Sequence, residues 1–136
     1  MKEVSDVFEK NVILINLPSV TQSTLKSHFE SGDILFAQLH GEPLGLCYLS
    51  AYAKMHGVVR NIGLVDFALG LKESWKYRSI EHYIESYLES EDERLNICPE
   101  VIGISINYTP SHFFLTLASK VLKKKWPKAK TRQHMQ

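Results

Sequence analysis

Three short apolar segments, separated by longer helical patterns, constrain the fold of this chain more than any other feature. The segments are residues 12–17 (VILINL), 58–67 (VVRNIGLVDF) and 100–106 (EVIGISI). Such short apolar runs are typical of strands buried on both faces of a parallel sheet. Helical patterns follow them at residues 43–57, 73–93 and 109–125. The alternation of strand and helix predicts an α/β domain with helices on both faces of the sheet.

Right-handed crossovers would place the first strand between the second and the third, giving the order 2-1-3. The predicted fold is therefore a three-layer, Rossmann- or flavodoxin-like parallel sheet. The polar sequence after the third helix leaves two interpretations open: an incomplete sheet, or a stub of a fourth strand at residues 128–133. We predict a domain over residues 1–130 and a polar tail over 131–136. An open sheet edge exposes unpaired backbone groups, so a second copy or another domain is expected to cover it.

Composition excludes several classes of partner. The 136 residues fit one domain, and the net charge of +1 shows no basic excess of the kind that nucleic-acid binding requires. No apolar run approaches the ~20 residues of a membrane span. The first ten residues lack a secretory signal, which predicts a cytoplasmic protein. Cys47 and Cys98 lie in apolar surroundings and are predicted to be buried free thiols.

Common catalytic and metal motifs are missing from the sequence. Residues 16–20 (NLPSV) follow the first strand without the glycine spacing of a dinucleotide site, and the chain has no P-loop. Its six histidines show no H-x-x-x-H pair and no cysteine partner at ligand spacing, so no metal site is predicted. His112 alone is expected at the ligand-binding edge. No catalytic constellation is predicted.

Ligands of open parallel sheets bind at the carboxyl ends of the strands. Three segments are expected there, residues 17–19, 66–70 and 105–111. Asp66 is either a polar contact for a ligand or the cap of a turn. The third segment holds several hydroxyl groups and a helix start, so Thr109 or Ser111 could equally serve only as a helix cap.

Four motifs in order suggest a family. They are INLP at residues 15–18, PLGLCYLSAY at 43–52, VD at 65–66 and PEVIGIS at 99–105. With these motifs, residues 13–130 resemble the cobalamin-binding domain of B12-dependent radical SAM enzymes. The resemblance extends to the cobalamin domain of methionine synthase, whose S-x-L motif is matched by Ser105, although Asn107 stands where leucine is usual.

The resemblance implies that this chain binds cobalamin through the edge of its sheet and holds cobalt for a separate domain. Ser105, Asn107 and Thr109 would contact the nucleotide tail of the cofactor. The full set of implied binding residues is Leu17, Pro18, Leu44, Gly45, Asp66, Ser105, Asn107, Tyr108 and Thr109.

The sequence departs from the resemblance at three places. The D-x-H-x-x-G motif that supplies a histidine ligand to cobalt is absent, as it commonly is in the radical SAM relatives. The glycine pair of the fourth strand is missing, and no C-x-x-x-C-x-x-C is present to hold an iron–sulfur cluster. The expected function is a corrinoid-binding module that lacks the radical SAM domain and has that domain as a partner. The alternative is a truncated or non-catalytic flavodoxin-like module without a bound cofactor.

Overall fold

The computed structural model describes residues 9–18, 22–31, 44–71, 77–106 and 111–135. Four strands and five helices alternate along these ranges. The strands are β1 (Asn11–Asn16), β2 (Asn61–Asp66), β3 (Val101–Ile106) and β4 (Lys130–Met135). The helices are α1 (Gln22–Ser31), α2 (Leu44–Met55), the single-turn α3 (Phe67–Gly70), α4 (Ile80–Leu95) and α5 (Ser111–Lys125).

The strands form one parallel sheet in the order β2-β1-β3-β4. The predicted fold class and the predicted order 2-1-3 are therefore confirmed, with a fourth strand added at the β3 edge. Strand β1 pairs with β2 from Asn11↔Asn61 to Asn16↔Asp66, and with β3 from Val12↔Val101 to Asn16↔Ser105. The strand that comes first in the sequence thus lies inside the sheet, between two later ones.

The fourth strand corrects the predicted tail. Residues 131–135, assigned from sequence to a polar tail, pair with β3 along the whole length of β4, up to Ile106↔Met135. The strand also begins two residues later and ends two residues later than the stub considered at 128–133. An edge strand needs only backbone hydrogen bonds on one side, so its sequence (KTRQHM) lacks the apolar run of an interior strand.

The larger core lies on the side of the sheet that carries α1, α4 and α5. There Ile13 and Ile15 of β1 and Ile104 of β3 are at most 1% exposed. Leu25 of α1 and Leu88 of α4 are fully buried against the same layer. Full burial of such side chains stabilises the fold by about 1.5–3 kcal/mol each.

An aromatic cluster connects α3 to α4 within this core. The buried Tyr83 lies edge-on to Phe67, and its hydroxyl donates a hydrogen bond to the Phe67 carbonyl at 2.5 Å. Burial, and then the proximity of Tyr87, raises the pKa of Tyr83 above its ordinary value. Gly70 packs on the same rings, because a Cβ there would lie 2.5 Å from the Tyr83 hydroxyl. The backbone of α3 therefore approaches α4 more closely than any residue with a side chain would allow.

An ion-pair group links α4 to α5. The Nζ of Lys125 lies 3.0 Å from a carboxylate oxygen of Glu89 and 3.2 Å from one of Asp92. Partial burial acts to lower the pKa of Lys125, but hydrogen bonds to these two carboxylates raise it above its ordinary value.

A smaller core lies on the opposite side of the sheet, beneath α2. Leu46 and Ala53 are the buried side chains of this helix, and Leu46 packs with Val12, Leu14 and Val101 of the sheet. The helix ends at Met55, and Gly57 lies just beyond it with φ +61°, a left-handed conformation that glycine adopts without strain.

The prediction of buried thiols is wrong. Cys47 and Cys98 are both exposed. Cys47 lies on α2 away from the residues that face the sheet, and Cys98 lies between α4 and β3. Helix α2 is apolar on most of its circumference, so the apolar sequence neighbours of Cys47 did not mean that this thiol faces the core.

Among the described ranges, no helix has both the length and the apolar character that crossing a bilayer requires.

Candidate functional site at the carboxyl edge of the sheet

Three polar residues form a row across the carboxyl edge of the sheet. Asp66 ends β2, Asn16 ends β1 and Ser105 lies one residue before the end of β3. Asn16 is in register with both of the others. Neighbours in register project from the same face of a sheet, so all three side chains lie on the α2 side. We call Asn16, Asp66 and Ser105 the polar row.

Asp66 holds one end of the polar row in place. Its Oδ1 accepts a hydrogen bond from the Asn16 side-chain amide at 3.0 Å. The same oxygen accepts the backbone N–H groups of Ala68 at 3.1 Å and Leu69 at 3.2 Å, which caps the N-terminus of α3. The capping role expected for Asp66 is therefore confirmed, and this carboxylate fixes the amide of β1 at the same time.

The other two members of the polar row are buried. Asn16 and Ser105 are each 2% exposed, and they are the buried polar side chains in the part of the chain that the structure describes. Buried polar groups need hydrogen-bond partners, and Asn16 has one in Asp66. An amide and a hydroxyl are thus kept side by side beneath the edge where the strands end.

The remaining predicted site residues divide into two groups. Leu17 and Pro18 follow β1 and are buried, while Leu44 and Gly45 begin α2. Because α2 runs antiparallel to the strands it connects, its first turn lies toward the same carboxyl edge. Asn107, Tyr108 and Thr109 lie outside the described residues, as does the alternative that Thr109 caps α5.

Two positions at this edge were missed from the sequence. Asn16 is absent from the predicted site residues, although an amide at the end of an apolar strand is a usable signal. His134 was assigned to the tail, yet β4 places it in register with Ser105. His112, expected at this edge, lies exposed in the first turn of α5.

The chemistry of the row favours hydrogen bonding over metal binding. Among the described ranges no three histidine, cysteine, aspartate or glutamate side chains are grouped to hold a metal ion. The one carboxylate of the row already accepts three hydrogen bonds. The neutral amide and hydroxyl beside it suit hydrogen bonds to the polar groups of an organic ligand.

The acidic groove of the molecule lies elsewhere. It runs along the solvent side of α4 and is lined by Glu85, Ser86, Glu89, Ser90 and Glu93. Helix α4 covers the face of the sheet opposite to the polar row. The groove therefore belongs to a different surface from the polar row.

Comparisons with known proteins identify no family for this chain. No family model, no curated protein and no solved structure matches the chain. The fold class therefore stands on the sheet and its helices, and the cobalamin resemblance stays a prediction that rests on the sequence motifs.

Proposed function

We propose that this chain is a corrinoid-binding module, in which the polar row contacts cobalamin at the carboxyl edge of the sheet. The observation that supports the proposal is the alignment of Asn16 and Ser105 at the ends of adjacent strands. In the order β2-β1-β3-β4 the direction of the crossovers reverses between β1 and β3. Open α/β sheets bind their ligands at this reversal.

Each member of the row has a distinct part in the proposal. In this proposal the Ser105 hydroxyl and the Asn16 side-chain amide form hydrogen bonds to the polar tail of the cofactor. Asp66 positions Asn16 through the hydrogen bond to its side-chain amide. Cobalamin would supply a cobalt centre that carries a methyl group or assists a radical step, and the catalytic residues would belong to a separate radical SAM domain.

The alternative function is a flavodoxin-like module that binds no cofactor. The 2% exposure of Asn16 and Ser105 favours it, because side chains so deeply buried can serve the fold alone. The two functions differ in a measurable way: only the first requires the purified chain to retain a corrinoid.

Cofactor retention tests the proposal directly. The purified chain is mixed with hydroxocobalamin, freed of unbound cofactor by gel filtration, and examined by visible absorption. We expect corrinoid absorbance to elute with the protein. A protein fraction without that absorbance contradicts the proposal and favours the module without cofactor.

A pair of matched variants locates the site. Ser105→Leu puts a bulky side chain next to Asn16 in the sheet and should weaken retention at least tenfold, whereas Ser90→Leu makes the same change on the exposed side of α4 and should not. Both variants are melted in parallel, because overpacking a buried position costs about 1–3 kcal/mol. Equal retention by two folded variants would remove Ser105 from the site.

A further inference from the structure

Helix α2 exposes an unusual number of large apolar side chains. Tyr48 is 77% exposed, Met55 75%, Leu49 48% and Tyr52 44%. The ring of Tyr52 lies 4.3 Å from that of His56, which holds it on the outward side of the helix. We call Tyr48, Leu49, Tyr52 and Met55 the outward face of α2.

The outward face is large for a monomer surface. Taking about 200 Å² as the full area of a large apolar side chain, the four exposed fractions give roughly 500 Å². Apolar patches of about 300–600 Å² are the largest on ordinary monomers and are often functional. Helix α2 also carries no charged residue before Lys54. A partner for this face therefore needs apolar area without charge.

We propose that the outward face of α2 pairs with the same face of a second copy of this chain, with the two helices antiparallel. Two such faces bury about 1,000 Å² in total, the lower limit of a specific interface, which indicates a weak dimer. A second copy also meets the charge requirement, because it brings the same uncharged surface. The inference does not depend on cofactor binding.

The antiparallel arrangement follows from the positions of large, small and charged residues. With a two-fold axis near Ala51, Tyr48 of one copy lies against Met55 of the other, and the large Tyr52 lies against the small Ala51. Aromatic–thioether contacts of this kind are favourable. A parallel pair would instead bring the two Lys54 residues to the same end and align the helix dipoles.

Sedimentation velocity over a concentration series tests the pairing. We expect the full chain to form a concentration-dependent dimer with a dissociation constant on the order of 10–100 µM. Tyr48→Glu combined with Met55→Glu puts like charges at both contacts and should weaken the dimer at least tenfold. Leu69→Glu changes an exposed apolar residue on α3 and should leave it unaffected. A monomer at all concentrations overturns the proposal and assigns the face to a different partner.

Opposite charges test the orientation. Tyr48→Glu combined with Met55→Lys places a carboxylate against an ammonium group twice in the antiparallel dimer, whereas a parallel dimer would oppose like charges. We expect this variant to associate at least threefold more tightly than the variant with two glutamates. Equal association of the two variants overturns the antiparallel pairing. Circular dichroism of all variants checks that each is folded, as substitutions at exposed positions allow.

Discussion

Replacing Asp66 by alanine should cost more stability than a half-buried surface carboxylate usually contributes. The change removes the cap of α3, worth about 1 kcal/mol. It also leaves the buried amide of Asn16 without its partner, which costs about 1–3 kcal/mol. The free energy of unfolding should therefore fall by about 2–4 kcal/mol.

The Asn16→Leu variant separates these two contributions. Leucine removes the buried amide, while Asp66 keeps its two backbone donors, so we expect a loss of about 1 kcal/mol. In the double variant no orphaned amide remains. Its loss should be smaller than the sum of the single losses by about 1–3 kcal/mol, which is the coupling between the two side chains.

Urea unfolding followed by circular dichroism measures all three variants. With a slope of about 2 kcal/mol per molar urea, Asp66→Ala should lower the midpoint by about 1–2 M. Glu85→Ala on the exposed side of α4 is the control and should stay within about 0.5 kcal/mol of the parent. Additive losses, or a midpoint for Asp66→Ala equal to that of the control, would refute the role given to this carboxylate.

Three further predictions concern the larger core and the ion pairs beside it. Tyr83→Phe leaves the Phe67 carbonyl without its donor and should cost about 1–3 kcal/mol at pH 7. The pKa of Tyr83 is raised in the folded state, so its contribution to the free energy of unfolding should fall as pH rises above about 10, where the phenol of the unfolded chain ionises. The cost of Tyr83→Phe should therefore be smaller in thermal melts at alkaline pH. Gly70→Ala inserts a methyl group against the Tyr83 hydroxyl and should destabilise the chain by about 1–3 kcal/mol in chemical unfolding, and a neutral effect would contradict the close approach of α3 to α4. Lys125→Met should cost about 1 kcal/mol of stability at low salt and less at 1 M salt. Since the pKa of Lys125 is raised in the folded state, the stabilisation by its ion pairs is complete at neutral pH and is lost only as pH rises above about 10.4. A cost that does not depend on salt would argue against the ion pair with Glu89.

The sequence specified the three apolar strands better than it specified the surface elements. The apolar run VILINL predicts burial on both faces, which β1 shows, and apolar segments likewise predicted its neighbours β2 and β3, although β2 is an edge strand and only partly buried. Strand β4 did not, because a polar edge strand is held by backbone pairing with β3 that no side-chain pattern records. The buried face of α2 could not be predicted either. Cys47, Tyr48 and Ala51 recur at helical spacing, yet Leu46 and Ala53 are the buried residues of this helix.

The candidate site was also predicted only in part from the sequence. Asp66 and Ser105 could be predicted because each lies where an apolar strand ends. Asn16 could not be recognised as their neighbour until the register of three strands was known, since Asn16 and Asp66 are 50 residues apart in the chain. Burial of Asn16 and Ser105 is likewise a property of the assembled sheet, because each lies under elements contributed by other parts of the chain.

The central position of β1 has a consequence for how the chain is made. This strand is synthesised before the other three, but both of its neighbours come much later, β3 at a separation of 89 residues. A sheet built from such distant pairings folds slowly, since long loops must close before any strand contact forms. The most apolar segment of the chain therefore leaves the ribosome without a partner strand and remains exposed until β2 and β3 emerge, which is the stage at which a chaperone would have most to protect.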